Sequence, residues 1–243
     1  MNKLKILLVA LISLSVIFTA CKNNEPEEKW DIDAKVINGN AFNSLIDSVV
    51  VYVDDTEIEL GKAKYAKGSF KMNLAVVPES ELYTPGEKLS EGVTISDKNA
   101  KLGWASIFQG IKKGEHVGYF LLTKYTYEDI KKAFTDESDI DLDESAIVMY
   151  WYVDRDVTIK GTETYTRTYL DEFENEQTFT FKEHYNLTLK QGWNLIAGNI
   201  LVNDEFNNEV EFFTLTKTDG YNWVFLPNDP SKMQAPRAKV FRK

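Results

Sequence analysis

Strict alternation of apolar and polar residues is the feature that most narrows the fold of this chain. Over residues 178–190, Phe179, Phe181, Tyr185, Leu187 and Leu189 share one face with Glu183 as its only charge. Thr178, Thr180, Lys182, His184, Asn186 and Thr188 share the other. A period of two belongs to the extended strand, whose side chains point alternately to opposite faces. The same rhythm recurs at Trp30, Ile32, Ala34 and Val36, at Ile58 and Leu60, and at Phe70, Met72 and Leu74. Further strands are expected over 49–53, 102–108, 116–123, 147–153, 157–159, 164–170, 193–197, 210–216 and 221–225. Lys67-Gly68 predicts a hairpin bend, Gln191-Gly192 a second turn, and Asp219-Gly220 a final hairpin joining 210–216 to 221–225. One helix stands apart: Thr126 can cap it, Asp129 sits at the capping-box position, and Tyr127, Ile130 and Phe134 form its apolar stripe. The chain therefore reads as mainly β, antiparallel and β-sandwich-like, with one short helix. The expected division is two β units, 30–125 and 126–243.

The first 29 residues follow different rules. Lys3 and Lys5 precede the apolar run 6–18, and Thr19-Ala20-Cys21 follows it. That order is a basic n-region, an apolar h-region and a small-residue cleavage point. The run falls short of the ~20 apolar residues that span a bilayer as a helix. Cys21 is the only cysteine in the chain. The segment resembles a bacterial lipoprotein signal peptide, with Phe18 standing where an aliphatic residue is usual. The resemblance implies cleavage after residue 20, acylation of Cys21 (palmitate among the chains) and a polar tether over 21–29. Each buried acyl CH₂ contributes ~0.8 kcal/mol, so several chains on one residue make a stable anchor. The tether's acidity resembles the export signal of Bacteroidetes surface lipoproteins. Lys22 stands where inner-membrane retention in enteric bacteria needs Asp.

Charge sharpens the partner expectations. Removing the two leader lysines from a formal charge of −10 leaves −12 on the mature chain. So acidic a body excludes nucleic acid, whose phosphates demand clustered Lys and Arg. Membrane contact is expected through the anchor alone. With the single thiol acylated there is no disulfide, and the core must hold the fold.

Candidate chemistry is sparse. Asp139, Asp141 and Asp143 open like a calcium loop, but Glu144 stands where the loop needs Gly and Tyr150 where it needs the bidentate Glu. A solvated connection is the favoured reading, with weak calcium binding the alternative. His116 and His184 lack partners at metal-ligand spacing and are expected at the surface, so no metal or other cofactor is expected. There is no Gly-x-Ser-x-Gly elbow, phosphate loop or dinucleotide fingerprint. Asp154-Arg155-Asp156 is read as a turn with a local ion pair rather than a hydrolytic pair. Trp104, Trp151, Trp193 and Trp223 could stack on sugar rings, though core packing is the favoured reading.

Three elements together resemble uncharacterised Bacteroidetes cell-envelope lipoproteins. They are the signal through Cys21, the module around Lys67-Gly68-Ser69-Phe70, and the run Leu187-Thr188-Leu189-Lys190-Gln191-Gly192-Trp193-Asn194. The resemblance implies an outer-membrane lipid anchor facing the periplasm or the cell surface, and carries over no catalytic residue. The leading expectation is a non-catalytic binding or structural module with a glycan or protein partner. The alternatives are a glycan hydrolase or glycan-binding protein, and an adhesin or pilus-related subunit.

Overall fold

A computed structural model describes residues 30–87, 89–105, 107–134, 147–170, 176–203, 207–218 and 220–228. Cys21, Asp139, Asp141 and Asp143 lie outside them.

The fold is mainly β with antiparallel sheets, as the alternation predicts. The strands are β1 (Trp30–Lys35), β2 (Ser48–Tyr52), β3 (Glu59–Lys64), β4 (Ser69–Leu74), β5 (Val93–Ile95), β6 (Leu102–Ala105), β7 (Phe108–Lys112) and β8 (Glu115–Thr123). After helix α1 (Tyr127–Phe134) come β9 (Met149–Val153), β10 (Val157–Leu170), β11 (Glu176–Leu189), β12 (Gly192–Asn203), β13 (Asn207–Leu215) and β14 (Asn222–Pro227). They form a five-stranded sheet ordered β14-β8-β7-β2-β3, a two-stranded sheet β1-β4, and a seven-stranded sheet β5-β10-β11-β13-β12-β9-β6.

The two smaller sheets curl onto each other. β3 passes into β4, in the other sheet, through a tight bend at Lys67-Gly68, both with positive φ (54° and 74°), the left-handed geometry that glycine accepts most easily, so the expected hairpin is a corner between sheets rather than a paired ladder. The amide of Ala75 donates to Leu60 O at 2.8 Å, holding the far ends of the two strands together. On the opposite seam β1 runs into a parallel bridge, Val36 to Trp223, and the Ile37 amide donates to Trp223 O at 2.8 Å. The enclosed volume is filled with rings. Phe70 meets Phe108, Phe120 and Trp223 with centroids 6.3, 5.3 and 5.2 Å away, and Phe225 meets Phe42 and Phe120 at 5.0 and 4.8 Å. Such tilted and edge-on contacts suit the ring quadrupoles.

The seven-stranded sheet lies against this assembly and is buried on both faces over its inner half. Tyr150, Trp193, Leu195 and Ala197 join the ring-filled core. The alternate residues Val153 and Ile196 join a second cluster with Leu187, Leu189, Val157, Ile159, Val93 and Leu102. Two-sided burial explains the continuous apolar run 195–197, which alternation alone does not.

Several expectations need correction. No final hairpin joins β13 to β14: β13 sits between β11 and β12, while β14 pairs with β8. The β11–β13 pair is parallel, unlike its neighbours. The single strand expected over 102–108 is two strands in different sheets, β6 beside β9 and β7 beside β8. Apart from these corrections, β5 and β6 enter the seven-stranded sheet and β14 the five-stranded one, so each of these sheets draws strands from both sides of 125/126.

The helix start follows its sequence closely. The Asp129 carboxylate accepts from the Thr126 amide (3.0 Å) and hydroxyl (2.6 Å), and the Asp129 amide donates to the Thr126 hydroxyl (3.1 Å). This is a capping box with Asp in place of Glu. Tyr127 and Ile130 are buried beneath it. No helix among the described residues is long and apolar enough to cross a membrane.

Candidate functional site

Strands β10 and β11 are 14 residues each, whereas β9 in the same sheet is five. At ~3.3 Å per residue the long pair runs ~46 Å against ~17 Å, so its outer half extends past β9, with β13 and the far end of β12 alongside it. There the buried Leu187 and Leu189 give way to half-buried Tyr185, Phe181 and Phe179 on the same face. This outer half carries two polar networks, one on each face.

One face is organised around Glu183. Its carboxylate accepts from the Tyr165 hydroxyl at 2.8 Å on Oε1 and from the Tyr185 hydroxyl on Oε2. Glu163 stands directly opposite Glu183 across the β10–β11 ladder and accepts from the Ser90 hydroxyl. Like charges facing each other destabilise a strand pair, and these three hydroxyls offset that repulsion. Burial, then the bond to Glu183, pushes the Tyr165 hydroxyl up to about 12, and the same causes push Tyr185 higher still. The Tyr165 and Phe181 rings lie nearly parallel at 5.2 Å, with the Arg167 guanidinium 5.3 Å and 5.5 Å from their centroids. Tyr185 stacks on Phe212 at 5.8 Å.

The opposite face holds a relay that no sequence motif announced. His184 bonds Thr162 Oγ1 through Nδ1 (2.9 Å) and Glu209 Oε1 through Nε2 (2.6 Å). Lys182 adds a 3.5 Å ion pair to Glu209. The His184 bond, opposed by partial burial and helped by Lys182, holds the Glu209 carboxyl below the usual carboxylate range. Hydroxyl, imidazole and carboxylate in line have the composition of a nucleophilic triad. The geometry gives it no oxyanion donor at Thr162, whose own amide donates to Gly92 O at 3.2 Å. His184 is thus half-buried and bonded, not a freely solvated surface residue as alternation suggested. His116 bonds Gly118 O at 3.0 Å through Nε2.

Of the other singled-out residues, Trp104 and Trp151 stand directly opposite each other across the β6–β9 ladder and the rest lie apart. Trp193 and Trp223 are buried, Trp193 donating to Ala75 O at 3.0 Å. Trp151 is half-buried, and Trp104 is 36% exposed beside Tyr83, ring centroids 5.0 Å apart. The four do not form one row. Asp154 accepts from the Lys101 amide at 2.8 Å and from Arg155, which also reaches Asp97 at 3.2 Å. Asp156 accepts from the Gln191 amide and Lys190 Nζ at 2.9 and 2.7 Å. Both carboxylates tie loops to strand ends. A shallow groove of about 410 Å³ borders Asp154, lined by Val76, Glu79, Leu82, Lys101 and Tyr152. Among the described residues no group of three His, Cys, Asp or Glu is placed to hold a metal ion.

No family model, curated protein or solved structure matches the chain.

Proposed function

We propose that this protein is a lipid-anchored cell-envelope module that binds a partner rather than catalysing a reaction. The observation that carries the reading is the state of Glu183, the acid at the centre of a half-buried aromatic face that it shares with Glu163. Both of its oxygens already accept tyrosine protons. A general acid or base needs an oxygen aimed at substrate. A carboxylate spent on orienting two phenol rings instead stiffens a contact surface of Tyr, Phe and Arg, residue types enriched at protein interfaces, Tyr and Arg also in their hot spots. Asp154 and Asp156 are likewise engaged in fixing loops. The leader and Cys21 supply the attachment, and the −12 formal charge left once the two leader lysines are removed keeps the body off anionic headgroups.

Metabolic labelling with an alkyne palmitate analogue in a bacterial host tests the anchor. Label on the wild-type chain and none on Cys21→Ser supports it, and equal label on both removes it. Affinity capture from envelope extracts with wild type and the Phe181→Ala/Tyr185→Ala pair tests the surface. Partners retained equally by both refute its role.

A second reading, glycan binding, is favoured by Trp104 and Tyr83, the exposed edge-to-face pair. A glycan array on which Trp104→Ala loses signal while Phe181→Ala keeps it would select this reading over the first.

A further inference from the structure

The outer half of the seven-stranded sheet has two edges, built differently. On β12 the pairing with β9 ends at Ile196, and the strand beyond is broken by a bulge between Ile200 and Val202. On β10 the pairing with β5 covers Ile159, Lys160 and Gly161, and the Thr162 amide adds one bond to Gly92 O at 3.2 Å. From Glu163 to Thr168 no strand among the described residues lies along that edge. Natural edges are blunted by lysine, proline or a bulge, because a regular one invites another strand. Residues 163–168 contain no Lys and no Pro, and their ladder with β11 has no register shift.

What this edge offers follows from its parity. Thr162 N–H reaches Gly92 O and Thr158 O accepts from the Ser96 amide, so even-numbered residues turn their backbone groups outward. Thr164, Thr166 and Thr168 therefore present their N–H and C=O groups in a row, ~6.6 Å from one to the next. Another extended backbone matches such a row, and a globular surface or a sugar does not. On the aromatic face the edge begins with Glu163. Ser90 engages its Oε1, and among the described residues no donor bonds its Oε2. We propose that an extended segment of a partner protein, with a lysine or arginine set against Glu163, pairs with residues 163–168 of β10 as an added strand. Glu163 then occupies a non-hydrogen-bonded position, where facing side chains lie closest. The net negative charge of the chain favours a basic segment over an acidic one. The added strand ends where Gly92 holds Thr162, so the edge accommodates ~20 Å of extended chain. Arg167 stays over the Tyr165 and Phe181 rings and is not called on. The proposal rests on the reading of the aromatic face as a contact surface, since Tyr165 borders both, and it names how the partner reaches that surface.

Fluorescence polarisation of labelled synthetic strands against the full chain in detergent tests it. The probe is a short peptide of alternating threonine and valine with one central arginine, and its twin has glutamate at that place. Wild type should bind the arginine peptide about tenfold more tightly than the glutamate peptide, and Glu163→Arg should reverse the preference. Thr166→Pro deletes one outward N–H and spares the ladder with β11, so it should keep the fold and lose the peptide. Thr166→Val changes only the side chain and should bind like wild type. No binding at millimolar peptide, equal affinity for both peptides, or binding that survives in folded Thr166→Pro overturns the proposal. If Thr166→Pro does not fold, the reversal by Glu163→Arg decides alone. A wild-type dimer in sedimentation that Thr166→Pro or Glu163→Arg dissociates would make the occupant a second copy and also overturn it. Envelope capture separates this proposal from the reading beneath it. Partners lost by the Phe181→Ala/Tyr185→Ala pair but kept by Thr166→Pro refute the edge and leave the aromatic surface standing. Partners lost by Thr166→Pro but kept by that pair do the reverse.

Discussion

Phe70→Ala is the sharpest probe of where this protein's stability resides. The side chain is 2% exposed and its ring meets three others, Phe108, Phe120 and Trp223, at 5.2–6.3 Å. Removing it deletes most of a fully buried aromatic group and leaves a void between strands from both seams of the curled sheets. Such truncations cost ~3–5 kcal/mol. For a chain of this size that lowers Tm by ~6–20 °C. The companion variant is Phe181→Ala, on the half-buried outer part of β11. There half the burial, ~1 kcal/mol, and one stacked pair worth ~0.5–1.5 kcal/mol are lost. Urea unfolding followed by tryptophan emission measures both. Phe70→Ala should lose about twice what Phe181→Ala loses, with Phe70→Leu in between. A Phe181→Ala loss equal to that of Phe70→Ala would mean the outer sheet is as much a core as the ring-filled interior, and the reading of it as a contact surface would go.

Thr126→Ala removes the reciprocal bonds to Asp129 and should cost ~1 kcal/mol, confined by hydrogen exchange to α1. Asp47, Asp129 and Asp156 are all held below their ordinary 3.8: Asp47 chiefly by Lys112, Asp129 by Thr126 and Asp156 by Lys190. Because each carboxyl binds its proton less tightly when folded, their contribution is present above about pH 4 and fades as pH falls through the lower folded values. Acid titration of Asp47→Asn should therefore show a shallower loss below pH 4 than wild type. Tyr165 has the opposite sign: its hydroxyl holds the proton up to about 12 in the fold against 10.0 when free, so stability should decline from about pH 10 upward. Phenolate absorbance should show it ionising late, and earlier in Glu183→Gln. Trp104→Ala should be near neutral for stability, whereas Trp193→Ala, which loses a buried ring and the bond to Ala75 O, should cost ~3–5 kcal/mol.

Local features were legible and partners were not. The faces of β11 follow directly from its alternation, and the cap of α1 and the bend at Lys67-Gly68 follow from residue chemistry. The turn of Gln191-Gly192 is locked by Asn194, whose side chain bonds Lys190 N–H and O at 2.9 and 2.7 Å, a local signal that could have been read. A period of two says which residues share a face but not which strand lies alongside. Hence β13 and β14, adjacent in sequence, went to different sheets, and the parallel β11–β13 pair left no trace. The Glu183 and His184 networks depend on such neighbours. Tyr165, Thr162 and Glu209 became their partners only once β10, β11 and β13 were placed side by side.

The closing seam has a kinetic consequence. The first described strand touches the last, through Val36 and Trp223, and β14 also completes the sheet edge beside β8. A chain emerging from a ribosome or a translocon must keep some two hundred residues waiting for its final segment before the aromatic interior can be sealed. Contacts so distant in sequence slow folding and lengthen exposure of sticky intermediates. A stop codon anywhere before residue 222 would therefore yield a product with an open seam, a natural client for chaperones and proteases rather than a smaller working protein.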